Sequence, residues 1–366
     1  MKIAMLGTRG IPGGYSGFET AVEELSTRLV KRGHEVVVYC RTHMVDYDDE
    51  YYKGVKLVKL STFANKYADT IVHTAKSAVH LIAREKCDVA LFFIAGNSPI
   101  CFLPRLIGIP TIINVDGLDS ERAKWNSLAK KYLKFTEWLA PRSANALISD
   151  SRVIQRYYLE RFGADSTFIP YGAVENDEKG TEWLEKFGLT QQNYILFVGR
   201  LVPENCAHIL IEAYNKLDTD KKLVIVGDAP YAEDYKQHLK RMAEKNVIFT
   251  GYLFGDGYRQ LSKNAFIFAI PTTVGGTHPV IVEALASGNC VIVSDHEPNK
   301  ETVGDAAAIF SRELGAEDLS EKINELLNNS ELVEHYKKAA KQRAKEKYDW
   351  DVITGQYEEL CNEVLK

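Results

Sequence analysis

The residues best suited to chemistry gather at 271–295, PTTVGGTHPVIVEALASGNCVIVSD. An apolar run at 265–270 leads into Gly275 and Gly276, then a His278-Pro279 pair, then a helix-patterned segment carrying one carboxylate, Glu283; a second apolar run follows at 290–293. In an open α/β sheet, ligands bind outside the carboxyl ends of the strands. A glycine turn feeding a helix N-terminus there offers N–H groups to an anion. Taken alone, the stretch also fits a tight turn with a solvated glutamate. Two other places argue for the ligand. Arg200 follows the apolar run 194–198 and Gly199, and a guanidinium can grip phosphate through two parallel hydrogen bonds. The glycine-rich stretch 7–17, GTRGIPGGYSG, sets Gly13 and Gly14 before an amphipathic segment, where freed N–H groups can cradle phosphate. Together these residues predict a diphosphate held between two domains.

Positioning such residues requires strands that end where they begin. Apolar runs at 2–6, 35–39, 55–60, 88–94, 111–115, 145–148 and 166–169 read as strands, and segments 18–32, 69–84, 121–139 and 151–162 read as helices between them. The 69–84 helix is expected to bury Ile71, Val72, Ala75, Val79 and Ile82, with His73 and His80 riding along it. Two strand ends, Ala95-Gly96-Asn97 and Asp116-Gly117, would face one crevice. The 121–139 segment, with Arg122, Lys124, Trp125, Lys130, Lys131 and Lys134, reads either as a solvated face or as a contact for an acceptor or lipid surface.

A polar stretch at 175–182 breaks the pattern, and alternation restarts with strands at 194–198, 223–226 and 247–250 and helices at 207–217, 231–243, 258–262 and 319–328. This predicts an α/β protein of two doubly wound Rossmann-like domains facing a central cleft. The boundaries fall at 1–175 and 176–345. The charged, helix-patterned run 332–366 is expected to send its last part, 346–366, back to the first domain.

Composition narrows the class. The chain has 366 residues, 45% apolar and 26% charged, with net charge −5, which argues against a dedicated nucleic-acid binder. Six cysteines without a CxxC pair suggest reduced core thiols of a cytoplasmic protein, and no His/Cys/Asp/Glu cluster has metal-ligand spacing. The opening residues read as a first strand and not as a signal segment, and no run approaches a membrane span. Any membrane contact is therefore expected to be peripheral.

Three stretches carry a family resemblance across nearly the whole chain: GTRGIPGGYSGFET at the start, VGRLVPEN at 198–205 and GGTHPVIVEALASG at 275–288. The layout resembles the GT-B retaining glycosyltransferases of family four, and the first and third stretches look most like a bacterial rhamnosyltransferase subgroup of polysaccharide biosynthesis. The resemblance implies an N-terminal acceptor-binding domain, a C-terminal nucleotide-sugar-binding domain and a metal-independent hexosyl transfer without a cofactor. The donor would be a dTDP- or UDP-linked sugar. The acceptor would be a saccharide or polyprenyl-linked saccharide at the inner face of a membrane.

Two departures bear on the donor. The family's E-x7-E motif keeps its second member as Glu283, but Gly275 stands where the first carboxylate would be, and the family's Arg-Lys phosphate pair is Arg200 and Asn205 here. On the resemblance, Arg200, Asn205 and the N–H groups of Gly13 and Gly14 would stabilise the leaving phosphate. Glu283 would hold the ribose, while Gly276 and Thr277 would line the donor site. Asp116 and His278 would orient the sugar or the acceptor hydroxyl. A deoxysugar such as rhamnose would suit the missing carboxylate. Gly275 equally suits the alternative, a non-catalytic nucleotide-sugar or polysaccharide-binding protein of GT-B fold. An epimerase or phosphorylase is a further enzymatic rival, although no lysine distinctive of pyridoxal phosphate stands out.

Overall fold

A computed structural model describes every residue except 14–16, 64, 66, 67, 116, 118, 119, 121–125, 231 and 245. The first half alternates strand and helix except for the consecutive strands β2 to β4: β1 (Lys2–Leu6), α1 (Gly17–Lys31), β2 (Glu35–Arg41), β3 (Tyr51–Tyr52), β4 (Val55–Leu60), α2 (Asp69–His80), β5 (Val89–Phe93), α3 (Ser98–Leu106), β6 (Thr111–Asn114), α4 (Ser127–Ser143), β7 (Ala146–Ser149), α5 (Arg152–Phe162) and β8 (Thr167–Phe168). The second half continues with α6 (Glu182–Lys186), β9 (Tyr194–Val198), α7 (Ala207–Asn215), β10 (Lys222–Val226), α8 (Glu233–Met242), β11 (Val247–Gly251), α9 (Gly255–Asn264) and β12 (Ile267–Ile270). Then come α10 (Pro279–Ala286), β13 (Val291–Ser294), α11 (Glu297–Val303), β14 (Ala308–Phe310), α12 (Ala316–Asn328), α13 (Ser330–Lys347) and α14 (Trp350–Val364).

The chain divides into two compact units. One comprises Met1–Tyr171, Gly275–Thr277 and Trp350–Lys366, the other Gly172–Val274 and His278–Asp349. The first holds an eight-stranded sheet in the order β3-β4-β2-β1-β5-β6-β7-β8, parallel except for the β3–β4 pair, and the second a six-stranded parallel sheet in the order β11-β10-β9-β12-β13-β14. Their central strands are apolar throughout because both faces are covered. On β1, Ile3 and Met5 feed one core cluster while Ala4 and Leu6 feed another. On β9, Tyr194 and Leu196 divide from Ile195 and Phe197 in the same way. Within the first unit, α1 buries Ala21, Val22, Leu25 and Leu29 in the cluster that also takes Trp350, Ile353, Tyr357, Leu360 and Cys361 of α14.

Several elements differ from the sequence expectation. The helix at 69–84 turns a different face inward: His73, Thr74, Ser77 and Ala78 are buried, while Val79 is exposed. Small and polar side chains fit this contact because the hydroxyls satisfy themselves locally, Thr74 Oγ1 on Thr70 O at 2.8 Å and Ser77 Oγ on His73 O at 2.8 Å. Helix α3 falls in 98–110, a stretch to which the sequence pattern assigns no element. Pro99 stands in its first turn, where no intrahelical N–H is needed. The run 332–366 is two helices, broken at Tyr348-Asp349, where Tyr348 O accepts from Ala173 N–H at 2.9 Å. Helix α4 begins after an Asn126 cap, whose side chain accepts from Ala129 N–H at 2.9 Å, and continues past Pro141. The Arg122, Lys124 and Trp125 part of the expected basic helix lies outside the described residues.

Buried His73 gives a stability prediction. Its ring is fully buried beside the Arg41–Asp69 ion pair (2.7 Å), and burial pushes its pKa down from 6.5 to about 4. The neutral form is therefore the folded one, while the unfolded chain takes up a proton first as pH falls. Stability is fully present above about pH 6.5 and drains away toward pH 4. Between pH 7 and pH 5 the loss from this group is about 2 kcal/mol. In urea titrations His73→Leu should lose that share of the pH dependence; an unchanged slope would refute the assignment.

Candidate functional site

Both sheets reverse their winding direction once, the first between β1 and β5, the second between β9 and β12. At such a reversal the following loops leave in opposite directions and open a crevice outside the carboxyl ends of the strands. Within the second unit, the loop after β9 carries Arg200 and the loop after β12 begins with 271–274, so the second sheet places Arg200 and Thr272 at its switch point.

In this second unit the two loops form one hydrogen-bonded junction. Gly199 N–H donates to Val226 O at 3.0 Å, anchoring the loop on β10, and Val202 N–H closes a turn onto Arg200 O at 2.9 Å. Asn205 Nδ2 donates to the same Arg200 carbonyl at 2.8 Å, and Thr272 Oγ1 donates to Asn205 Oδ1 at 3.3 Å. Glu204 O accepts from Thr273 N–H at 3.2 Å. The Arg200 side chain remains exposed. Asn205, expected at the phosphate, has both ends of its amide engaged in shaping the Arg200 turn, so the geometry makes it a positioning residue. Below the junction Thr272 O accepts from Ser294 Oγ at 2.6 Å and Asn299 Nδ2 at 3.1 Å, a buried support that no sequence pattern announced.

One glycine is indispensable here. Gly227, at the end of β10, has φ +137°, and a Cβ there would stand 1.9 Å from Gly199 O. The contact allows the backbone carrying Arg200 to lie flush against the end of β10.

Glu283 sits in the middle of α10. Its Oε2 accepts the Tyr258 hydroxyl from α9 at 2.6 Å. Burial first, and the Glu283 charge second, push the Tyr258 phenol well above its usual range, so it stays a donor and orients the carboxylate. His278 caps α10 through its backbone, accepting from Ile281 N–H at 2.9 Å, and its ring makes no capping bond. Gly275 has φ +122°, a backbone conformation that a glutamate would adopt only with strain.

The first unit treats its glycine loop differently from expectation. Gly13 N–H, expected to face phosphate, donates to Glu23 Oε2 of α1 at 2.8 Å, because Glu23 reaches back over the loop while also taking Tyr52 Oη (2.7 Å) and Lys53 Nζ (3.2 Å). Gly14 and Asp116 lie outside the described residues. Gly276 and Thr277, grouped with this unit, meet Asp150 at the end of β7. Thr277 N–H donates to Asp150 Oδ2 at 3.0 Å and Thr277 Oγ1 to Asp150 O at 2.7 Å. A Cβ on Gly276 would lie 2.6 Å from that carboxylate. Thr277, expected to line the donor site, thus gives its N–H to the Asp150 carboxylate and its hydroxyl to the Asp150 carbonyl. Asp150, fully buried, was missed; its one sequence signal is an acidic residue directly after an apolar strand. Ile94 was missed too. It follows β5 at the first switch point with φ +72°, an outlier for a β-branched residue of the kind that clusters at functional sites.

Comparison with known proteins matches this architecture. The Glycosyl transferases group 1 family matches residues 180–343, and a domain of unknown function, DUF1972, matches residues 1–174. Among curated relatives, the N-acetylgalactosamine-N,N'-diacetylbacillosaminyl-diphospho-undecaprenol 4-alpha-N-acetylgalactosaminyltransferase of Campylobacter jejuni is 27% identical over 268 residues, 70% of this chain and 72% of its own. Among solved structures, sucrose-phosphate synthase from Thermosynechococcus elongatus superposes with a TM-score of 0.83 at 17% identity, covering 99% of this chain and 98% of that one. Anabaena Alr3699/HepE in complex with UDP-glucose superposes with a TM-score of 0.79 at 18% identity, over 99% of this chain and all of its own. Residues 180–343 thus match the glycosyl transferases group 1 model, and the chain is a glycosyltransferase of GT-B fold.

Proposed function

We propose that this glycosyltransferase moves a sugar from a nucleoside diphosphate to a saccharide or polyprenyl-linked saccharide acceptor with retention of configuration, and that the sugar is a deoxyhexose carried as dTDP-rhamnose. The observation that carries the transfer chemistry is the Arg200–Asn205–Thr272 junction at the switch point of the second sheet. In the proposed step the anomeric carbon–phosphate oxygen bond breaks and the acceptor oxygen bonds the same face of that carbon. The acceptor proton passes to the leaving diphosphate. Charge then grows on the leaving phosphate, and exposed Arg200, with its backbone fixed by Asn205, is the group that meets it. Glu283, oriented by Tyr258, takes the ribose hydroxyls. His278 faces the sugar.

Gly275 supports the deoxysugar. A pocket built to hydrogen-bond a hydroxyl rejects an analogue lacking it by a large factor, whereas a pocket without that acceptor favours the less polar sugar. The backbone at φ +122° disfavours restoring a carboxylate there. Competing dTDP-rhamnose against UDP-glucose on one acceptor, with kcat/KM for each, tests the donor. A preference for UDP-glucose ends the deoxysugar reading and leaves the glycosyltransferase standing.

Metal-independence is part of the same proposal. Among the described residues no three His, Cys, Asp or Glu side chains gather as a ligand set. Turnover is expected to persist in excess EDTA. Loss restored by magnesium or manganese would assign the phosphate charge to a cation in place of Arg200.

A further inference from the structure

One face of the first unit exposes large apolar side chains that the transfer chemistry does not use. Helix α4 exposes a stripe at three- and four-residue spacing: Leu128, Lys131, Phe135, Trp138 and Arg142. Leu128 is 77%, Phe135 49% and Trp138 42% exposed. Water-facing stripes of globular helices are ordinarily polar, so three large apolar side chains here need a reason. Phe135 and Trp138 lie 5.8 Å apart, and the Arg142 guanidinium sits 4.4 Å over the Trp138 ring. The stripe continues onto the end of α3, because Arg105 Nη1 donates to Arg142 O at 2.7 Å, and beside Arg105 stand Leu103, Leu106 and Ile107, all exposed.

Exposed charge on these two helices has one sign. Helices α3 and α4 carry Arg105, Lys130, Lys131, Lys134 and Arg142 against a single acid, Glu137, which is buried and takes the Tyr157 hydroxyl at 3.0 Å. The whole chain, by contrast, carries −5. Behind the stripe a cavity of about 390 Å³ is lined by Ser120, Lys130, Lys134, Tyr157 and Arg161, three cations around a space large enough for a phosphate.

We propose that the α3–α4 face docks on an anionic phospholipid surface, with Leu128, Phe135, Trp138, Leu106 and Ile107 entering the interface. Lys131 and Arg142 would reach outward to the headgroups, and the Lys130–Lys134–Arg161 cavity would take a lipid phosphate. Apolar and aromatic side chains flanked by basic ones, without an exposed acid on α3 or α4, are the composition that such interfaces select. A second copy of the chain is disfavoured as the occupant, since a two-fold contact would set this positive face against itself. No helix among the described residues is long and apolar enough to cross a membrane, so the contact is peripheral. The proposal goes beyond the transferase reading and holds whichever sugar is moved.

Co-sedimentation with phosphatidylglycerol–phosphatidylethanolamine vesicles and with neutral phosphatidylcholine vesicles tests it, on the full chain. Binding to the anionic vesicles should exceed neutral binding at least roughly tenfold and fall with salt. The Lys131→Glu/Arg142→Glu double variant should weaken it by on the order of a hundredfold, and Leu128→Ser/Phe135→Ser by roughly tenfold or more. Trp138 emission, read as the difference between wild type and Trp138→Phe, should shift to the blue on anionic vesicles. Unchanged circular dichroism and melting would confirm that the variants fold, and sugar transfer to a water-soluble acceptor should be unaffected. Three results would overturn the proposal: equal binding to both vesicle types, binding that ignores the apolar variants, or a protein dimer in solution that those variants dissociate.

Discussion

Arg200→Ala is expected to lower kcat by roughly 10- to 150-fold, the equivalent of about 1.5–3 kcal/mol for a lost hydrogen bond to a charged group. The side chain is exposed, and the turn is held through the Arg200 carbonyl, which Val202 and Asn205 bind. Circular dichroism and the urea midpoint should therefore match wild type. Asn205→Ala provides the contrast: it keeps the guanidinium but frees the turn, so kcat should fall less, and Asn205→Asp, which loses the donor to Arg200 O, should not rescue it. Wild-type kcat in Arg200→Ala would remove this arginine from the leaving-group site while leaving the fold and family assignments intact.

Gly227→Ala is expected to destabilise the second unit by more than about 3 kcal/mol, since overpacking and backbone strain act at the same atom. The added Cβ would lie 1.9 Å from Gly199 O at φ +137°, so either β10 or the loop carrying Arg200 must move. Gly251→Ala is the control. It also has positive φ, +72°, but meets nothing within 4 Å, and should cost only about 1–2 kcal/mol. Urea unfolding of both variants gives the comparison. Equal losses would show that backbone strain, not the Gly199 contact, governs the position.

Much of this architecture was legible because the central strands are apolar on both faces and several stop at a glycine or proline. Runs such as Tyr194–Val198 before Gly199, and Ile267–Ile270 before Pro271, announce their ends in composition alone. Helix α3 was hidden because proline in its first turn and near its end mimics a loop, and the α2 face was misread because its contact favours Thr74, Ser77 and Ala78 over Val79. The site was legible by residue type but not by partner. Glu283 and Arg200 could be picked out, whereas Tyr258, twenty-five residues before Glu283, has no spacing signal to tie it to that carboxylate. The same limit applied to Gly13 and Thr277. Sequence marked where N–H groups are freed, but only packing decides that Glu23 and Asp150 claim them.

The return of α14 to the first unit sets an order of events during synthesis. Residues 172–274 and 278–349 form one nearly contiguous unit, so its core can close as soon as α13 has emerged from the ribosome. The first unit is translated earlier but waits longer. Its core takes in Trp350, Ile353, Tyr357, Leu360 and Cys361, and Asn114 Nδ2 at the end of β6 donates to Tyr357 Oη at 3.0 Å. Until those residues arrive, the apolar flank of α1 and its sheet that α14 covers stays exposed on the nascent N-terminal half. A stop codon before Trp350 should then leave the second half folded and the first half, though translated in full, prone to aggregate.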